Sequence, residues 1–247
     1  DLAGRRGLFL AEGALVVRRL LEESPLRMRS ALVTEGRLEA MRGVFERRAG
    51  EAPVYVASQE VMDEIVGFHI HRGVLAAGER GDALRLEDVA GSARAGERML
   101  VLEDLANHDN VGGVFRNAAS FGARCVVLNE RCCDPLYRKA IRVSVGAALT
   151  VSFARYEEGA GVLKRLRAMG WRTAALTPRG DAEGIRAFAG SDAARAPLAL
   201  VLGAEGPGLS EGMIAGADHR VRIEMAEGAD SLNVATASAV ALHALGA

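Results

Sequence analysis

Short apolar runs alternate with segments of helical periodicity from Arg98 to the end of this 247-residue chain. The runs with the length of a strand are RMLVLED, RCVVLN, TVSFAR, WRTAAL, PLALVLG and HRVRI. Strands that alternate with helices predict an α/β fold with a mostly parallel sheet that is covered on both faces. Because such sheets bind ligands beyond the carboxyl ends of their strands, we expect the functional site after WRTAAL, PLALVLG and HRVRI.

The helices of this part are predicted from the spacing of apolar residues and from residues that favour helix ends. The first covers residues 111–121, and the segment DPLYRKAIRVSVGA predicts a second with Pro135 at its first position. A third is expected over residues 157–169. The last begins at residue 231, with Ser231 as its predicted N-cap.

Residues 1–90 indicate a smaller α/β domain. Its predicted elements are a helix over 13–23, strands over 29–34 and 54–57, a polar helix over 35–48, a helix between Ser58 and Gly67, and a strand at the end of 68–78. The small and polar segment GSARAGE, residues 91–97, is predicted to be a linker to the larger domain at 98–247.

Composition and charge narrow the classes of function. The chain is 49% hydrophobic and 26% charged, with a formal net charge of −1. Nucleic-acid-binding domains usually show a basic excess, so any RNA contact has to use a local patch. The arginine pairs Arg5–Arg6, Arg18–Arg19 and Arg47–Arg48 are either a phosphate-binding face or solvated helix surface. His69 and His71 are either RNA contacts or ordinary surface histidines.

The sequence also predicts the cellular compartment and the state of the cysteines. No apolar run approaches the ~20 residues of a membrane span, and the first residues lack the pattern of a secretory signal, so we expect a cytoplasmic protein without membrane partners. The three cysteines, Cys125, Cys132 and Cys133, lack both a disulfide framework and metal-ligand spacing. We expect buried free thiols.

The stretch NVGGVFRNAASFG, from Asn110 to Gly122, places one arginine within an apolar helix face. The predicted buried residues of this face are Val111, Val114, Phe115, Ala118, Ala119 and Phe121. A charge in the middle of a buried stripe is costly unless it is paired or used. Arg116 therefore either extends along the helix surface to water or belongs to a functional site.

Two further polar segments follow predicted strands. GAEGPGLSEGM, residues 203–213, has glycines that allow close backbone approach and the carboxylate of Glu205 in the same turn. EMAEGADSLNVATASAVALHAL, residues 224–245, places Asn233 where its amide can cap a helix or orient a ligand. Taken singly, each also suits a plain turn or a capped helix. The absence of G-x-G-x-x-G and G-x-x-x-x-G-K-[ST] disfavours a nucleotide-cofactor oxidoreductase or a P-loop protein.

Together, these segments resemble a known set of motifs. N-V-G-x-x-x-R-x-A-x-x-F-G, L-G-A-E-G-x-G-L and I-x-M-x-x-x-x-x-S-L-N-V-A are similar, in order and spacing, to the three signature motifs of the SpoU (TrmH-like) RNA 2′-O-ribose methyltransferases of the SPOUT superfamily. The resemblance covers about residues 98–247. More loosely, EG near the start, VYVAS and HRGVLA resemble the small ribosomal-protein-like substrate-binding domain that often precedes the catalytic domain.

This resemblance implies a C-terminal sheet tied in a trefoil knot, a homodimer formed through helices beside the knot, S-adenosylmethionine as methyl donor without a metal, and structured tRNA or rRNA as substrate. It implies five catalytic residues: Arg116, Asn110, Glu205, Ser231 and Asn233. The cofactor-binding residues that it implies are Thr177, Leu202, Gly203, Gly206, Ile223, Met225 and Leu232.

In the mechanism expected from the resemblance, Arg116 positions the ribose 2′-oxygen or stabilises its developing charge, and Glu205 holds Arg116 and offsets its burial. The very high pKa of arginine argues against Arg116 as the base. One departure is Glu224, which stands where the family commonly has proline. The alternative function is a non-catalytic RNA-binding or ribosome-assembly factor with the same fold, and the intact catalytic positions count against it.

Overall fold

The computed structural model describes residues 4, 6–67, 72–157, 159–229 and 231–246. His69 and His71 lie outside these residues, as does Arg5. The chain divides into two compact units, Asp1–Asp82 with Pro135–Thr150, and Ala83–Asp134 with Val151–Ala247. Each unit is built on its own sheet.

The first unit has a four-stranded mixed sheet in the order β1-β4-β2-β3. Its elements are β1 (Leu8–Glu12), α1 (Ala14–Glu22), β2 (Arg27–Thr34), α2 (Glu35–Arg48), β3 (Val54–Ala57), α3 (Gln59–Val66) and β4 (Val74–Glu79). β4 pairs antiparallel with β1 and β2, while β2 and β3 are parallel. Ser58 caps α3 by accepting from the Val61 N–H, and Gly67 ends it with a φ of 80°. The helix ends predicted from Ser58 and Gly67 are confirmed.

Residues 135–150 belong to this first unit rather than to the second, where the sequence had placed them. Glu12 forms a 2.9 Å ion pair with Arg138, and the Arg19 guanidinium donates to the Val145 carbonyl at 2.7 Å. The expected long helix with Pro135 at its first position is wrong. α6 (Arg138–Val143) is short, because Val145 and Gly146 adopt positive φ values and end it.

The second unit has a seven-stranded sheet in the order β7-β6-β5-β10-β8-β11-β9, in which every recorded strand pair is parallel. Its strands are β5 (Arg98–Leu102), β6 (Val126–Asn129), β7 (Phe153–Tyr156), β8 (Arg172–Leu176), β9 (Glu183–Gly184), β10 (Leu198–Leu202) and β11 (His219–Arg222). Its helices are α4 (Leu86–Ala90), α5 (His108–Ser120), α7 (Gly161–Ala168), α8 (Ile185–Ala189), α9 (Asp192–Arg195), α10 (Glu211–Gly216) and α11 (Val234–Ala244). The predicted mostly parallel sheet is confirmed.

The central strands β5 and β10 are buried along their whole length, as expected for parallel strands covered on both faces. Trp171 and the helices α4 and α7 contribute to one apolar core beside the sheet. Leu86 and Val89 of α4 belong to this core. Residues 83–97 therefore pack with the second unit, whereas the sequence had placed them in the first domain and a linker. No helix in the described part of the chain is long and apolar enough to span a bilayer.

Two predicted helix starts need correction. α5 begins at His108 instead of Val111, because the Asn107 side chain caps it by accepting from the Asp109 N–H at 2.8 Å. α11 begins at Val234, and its N-cap is Asn233 rather than Ser231. The Asn233 Oδ1 accepts from the N–H groups of Ala235 and Thr236. In both cases an asparagine carbonyl oxygen satisfies helix N–H groups that lack a partner within the helix.

Candidate active site

A cavity of about 230 Å³ opens at the carboxyl ends of β8, β10 and β11, the three strand ends singled out from the sequence. Its lining comes from the segments that follow these strands and from the start of α11. All seven residues predicted to bind a cofactor line it: Thr177, Leu202, Gly203, Gly206, Ile223, Met225 and Leu232. The structure therefore brings together residues from three separated segments, while their ligand stays a prediction.

The turn after β10 requires glycine for steric and conformational reasons. A Cβ atom at Gly203 would lie 2.4 Å from the Gly208 carbonyl carbon and the Leu209 nitrogen, so no side chain fits there. The turn closes with a 3.0 Å hydrogen bond from the Gly208 N–H to the Ala204 carbonyl. Gly206 and Gly208 adopt φ values of 83° and 72°, which only glycine adopts without strain. At its glycine positions the turn thus presents backbone to the cavity.

A buried carboxylate fixes the far end of this turn. Glu103, which directly follows β5, is 5% exposed and accepts hydrogen bonds from both the N–H and the hydroxyl of Ser210, each at 2.8 Å. Ser210 in turn caps α10. The sequence analysis missed Glu103, although an acidic residue directly after a buried strand was a usable signal.

Three of the five predicted catalytic residues form one hydrogen-bonded group. The Asn233 Nδ2 donates to the Asn110 Oδ1 at 2.9 Å and to a Glu205 carboxylate oxygen at 2.5 Å. Because the Asn233 Oδ1 caps α11, this one side chain fixes the helix and joins the first, second and third sequence motifs. Asn110 is buried, while Glu205 and Asn233 are exposed. Ser231 lines the cavity with Glu205.

Of the arrangements expected for Arg116, the structure shows extension to water and does not show burial beside Glu205. Its side chain is exposed, whereas Val114 and Phe115 beside it are fully buried. Within the described part of the chain it forms no ion pair with Glu205, whose carboxylate instead accepts a hydrogen bond from Asn233. The expected pairing is therefore wrong, and no buried charge needs to be offset. The Arg116 side chain extends to water. This position suits an arginine that contacts a ligand and also an ordinary surface arginine.

α5 approaches α11 closely at Gly113. A Cβ atom there would lie 2.6 Å from the Cβ of Ala235. Asn117, one turn later, donates to the Ala235 carbonyl at 2.6 Å and to the Ser238 hydroxyl at 2.9 Å. Arg116 follows Gly113 by three residues, so it lies near the side of α5 that faces α11. The small residues Ala235 and Ser238 serve packing within this chain.

Two cysteines and one tyrosine outside the cavity have raised pKa values, which favour their neutral forms. Burial raises the pKa of the Cys125 thiol to about 12 and that of Cys133 to about 11. Burial, with Glu103 nearby, also raises the pKa of Tyr156, whose hydroxyl donates to the Leu102 carbonyl. The described residues contain no group of three or more His, Cys, Asp or Glu side chains that could hold a metal ion.

The fold and the cavity define an α/β protein with an open cavity at the carboxyl ends of a parallel sheet. Residues 97–243 match the model of the SpoU rRNA Methylase family. Over 250 residues the chain is 42% identical to an uncharacterised tRNA/rRNA methyltransferase of Mycobacterium bovis, covering 98% of this chain and 82% of the relative. The chain belongs to the SpoU methylase family.

Solved structures agree with this assignment. The crystal structure of an RNA 2′-O ribose methyltransferase is 27% identical, with a TM-score of 0.78 and coverage of 98% of this chain and 89% of that one. The SpoU methyltransferase AviRb from Streptomyces viridochromogenes, in complex with AdoMet, is 20% identical, with a TM-score of 0.82 and coverage of 100% and 92%. At that identity the likeness to AviRb shows the fold alone.

Proposed function

We propose that this protein transfers a methyl group from S-adenosylmethionine to a ribose 2′-hydroxyl of tRNA or rRNA. One observation carries the proposal: the hydrogen-bonded group Asn110–Asn233–Glu205 lies at the edge of a cavity with a glycine-backbone wall. The relatives named above as methyltransferases of RNA support the substrate class.

The residues of the cavity suit the proposed methyl donor. Gly203 has no room for a side chain, so the turn offers backbone N–H and C=O groups at close range. Leu202, Ile223 and Leu232 supply apolar surface on which a purine ring can pack. Gly203, Gly206, Ile223 and Leu232 would hold the donor, with Thr177, Leu202 and Met225 beside them. When bound, S-adenosylmethionine supplies a methyl group that is already activated by a positively charged sulfur.

The work left to the protein is to orient the 2′-hydroxyl and to balance charge. Arg116, exposed and without a partner in the described residues, is available to a ribose 2′-oxygen or a substrate phosphate. It stabilises the negative charge that develops on the oxygen, and the proton passes to a substrate phosphate, water or a carboxylate. The Asn233 amide holds the Glu205 carboxylate in place by donating to it, and Asn110 accepts from the same amide and so fixes its orientation. Ser231 contacts the ribose in this proposal.

The proposal also covers the oligomeric state and the topology of the chain. We infer a homodimer that packs near α11, whose Val240 is an exposed apolar residue, and a trefoil knot formed by the segments that line the cavity. The first unit would select the RNA. Of its arginine pairs, Arg19 and Arg47 form ion pairs with Glu23 and Glu22, and Arg48 extends to solvent.

The direct test is transfer of labelled methyl from S-adenosylmethionine to separate tRNA and rRNA pools, followed by nucleoside analysis. We expect 2′-O-methylated nucleosides in one pool. Label on a base instead of a ribose would contradict the proposed reaction. Binding of S-adenosylmethionine without transfer to either pool would favour the non-catalytic RNA-binding alternative.

A further inference from the structure

The cavity carries charge at two places. Among the described residues that line it, Arg179 is the cation and Glu205 is the anion, and the others are apolar, glycine, proline, serine or threonine. Glu205 is engaged by Asn233. Arg179 is therefore the cation among these described lining residues. The hydrogen-bonded group Asn110–Asn233–Glu205 gives it no function.

Arg179 is placed by the strand that leads to it. It follows Thr177 and Pro178 directly after β8, so the sheet brings it to the same end as the glycine turn. Its guanidinium forms a two-pronged ion pair with Glu211 in the first turn of α10, one prong being a 3.0 Å hydrogen bond from Nη1 to Oε2. Both partners are exposed, the Glu211 side chain to 80%. An exposed pair of this kind contributes little stability, so its carboxylate is readily exchanged.

The loop that carries Arg179 has other attachments. The Arg220 guanidinium donates to the Asp181 carboxylate at 2.6 Å, and the Arg222 Nε donates to the Ala182 carbonyl at 3.0 Å. These contacts fasten the loop to β11 from the opposite side. The pair of Arg179 with Glu211 is consequently dispensable for holding the loop.

We propose that Arg179 recognises the α-carboxylate of the amino-acid end of the methyl donor, and that Glu211 occupies the guanidinium with an equivalent carboxylate when the cavity is empty of ligand. This inference rests on the proposed function. A guanidinium binds carboxylates through two parallel hydrogen bonds, which gives direction as well as attraction. Arg179 would thus select donors and products that keep the amino-acid carboxylate.

The test is calorimetric titration of the full chain with S-adenosylmethionine and with its decarboxylated analogue, which differs by the carboxylate alone. The wild-type protein should bind S-adenosylmethionine roughly tenfold more tightly than the analogue, as expected for one charge-assisted hydrogen-bonded pair. Arg179→Gln should remove this preference by weakening only the binding of S-adenosylmethionine. Glu211→Gln, which frees the guanidinium, should tighten the binding of S-adenosylmethionine about threefold and leave that of the analogue unchanged.

Arg195→Gln is the control, since it breaks an exposed ion pair, that with Asp192, at a residue that does not line the cavity; its preference should equal that of the wild type. Retention of the wild-type preference by Arg179→Gln would overturn the inference. A wild-type protein that binds neither compound contradicts the proposed function itself and the inference with it, so the two failures are distinguishable.

Discussion

The two ends of the large parallel sheet differ in whether the protein itself binds their polar side chains. At the carboxyl ends of β8, β10 and β11, the chain leaves a cavity, a glycine turn and exposed charged side chains. At the amino ends, the charged side chains of Arg98 and Asp218 are bound by the protein itself. Arg98, 6% exposed at the start of β5, donates to the carbonyls of Ala194, Ala196 and Leu245.

Asp218, directly before β11, shows the same contrast. Its carboxylate accepts from the N–H and the hydroxyl of Thr173 at 2.9 and 2.8 Å, and from Arg167 at 3.2 Å. Polar groups that are satisfied within the fold stabilise it, whereas groups left at the other end are available to a ligand. The difference predicts that substitutions at the carboxyl ends change binding and turnover, and that substitutions at the amino ends change stability.

The largest effect is expected at Arg116, beside the carboxyl-end site. Arg116→Ala should lower turnover by about a thousandfold, or about 4 kcal/mol of transition-state stabilisation, while S-adenosylmethionine binding stays nearly unchanged. Methyl transfer and calorimetric titration on the same preparation check both parts. Arg116→Lys, which keeps the charge but loses the planar fork, should recover part of the activity. Full activity of Arg116→Ala would remove this residue from the mechanism.

Gly203 comes next, because its Cβ would collide with backbone. Gly203→Ala should weaken S-adenosylmethionine binding by about a hundredfold, since the 2.4 Å contacts force the turn to open. Gly122→Ala, at a residue that does not line the cavity, is the control: no atom lies within 4 Å of its Cβ, and its positive φ costs only about 1 kcal/mol of strain. Equal affinities of the two variants would show that the turn does not form the ligand wall.

Arg98→Leu tests the amino end. It should lower the free energy of unfolding by about 2 kcal/mol, because several carbonyls lose a buried donor. The variant should keep wild-type affinity for S-adenosylmethionine in the folded protein. Arg172→Leu changes an exposed arginine at the start of β8 and should alter stability by less than about 0.5 kcal/mol. Chemical denaturation of the wild type and the two variants measures these free energies of unfolding. If Arg98→Leu is as stable as the wild type, the proposed difference between the two ends of the sheet is wrong.

The smallest effect is expected at Asp218. Burial alone would raise the pKa of this carboxyl, but the hydrogen bonds from Thr173 and the charge of Arg167 outweigh it and hold the pKa below its usual value. The ionised form therefore adds stability above the pKa of an unfolded aspartate, and this stability is lost as the pH falls through the folded-state pKa.

Asp218→Asn should accordingly lower Tm by a few degrees at neutral pH, for a loss of about 1 kcal/mol, and by less in acid. Thermal unfolding across this pH range checks the trend. A difference between the variant and the wild type that grows as the pH falls would contradict the assigned cause.

Local signals in the sequence predicted much of the secondary structure. Local signals account for six of the seven strands of the large sheet, the exception being β9, for the end of α3 at Gly67 and for the cavity at three strand ends. The start of α5 was also signalled, by Asn107 and Asp109, and was missed because the apolar stripe begins only at Val111. The sequence pattern did not single out Glu103, which directly follows β5, or Arg179, which lies three residues after β8.

Other features depend on contacts between residues far apart in the chain. Local pattern does not reveal that Arg116 faces water, that Asn233 rather than Arg116 binds Glu205, or that residues 135–150 pack with the first unit.

The sequence by itself thus determined the α/β class, the parallel sheet, the family and the residues that gather at the cavity. The spacing of apolar residues and the residue types within short segments decide these properties. Only the tertiary structure decided which side chains are partners, because hydrogen bonds and burial depend on segments more than a hundred positions apart, as for Asn110 and Asn233. The exposure of Arg116 and the ion pair of Arg179 with Glu211 belong to this second kind.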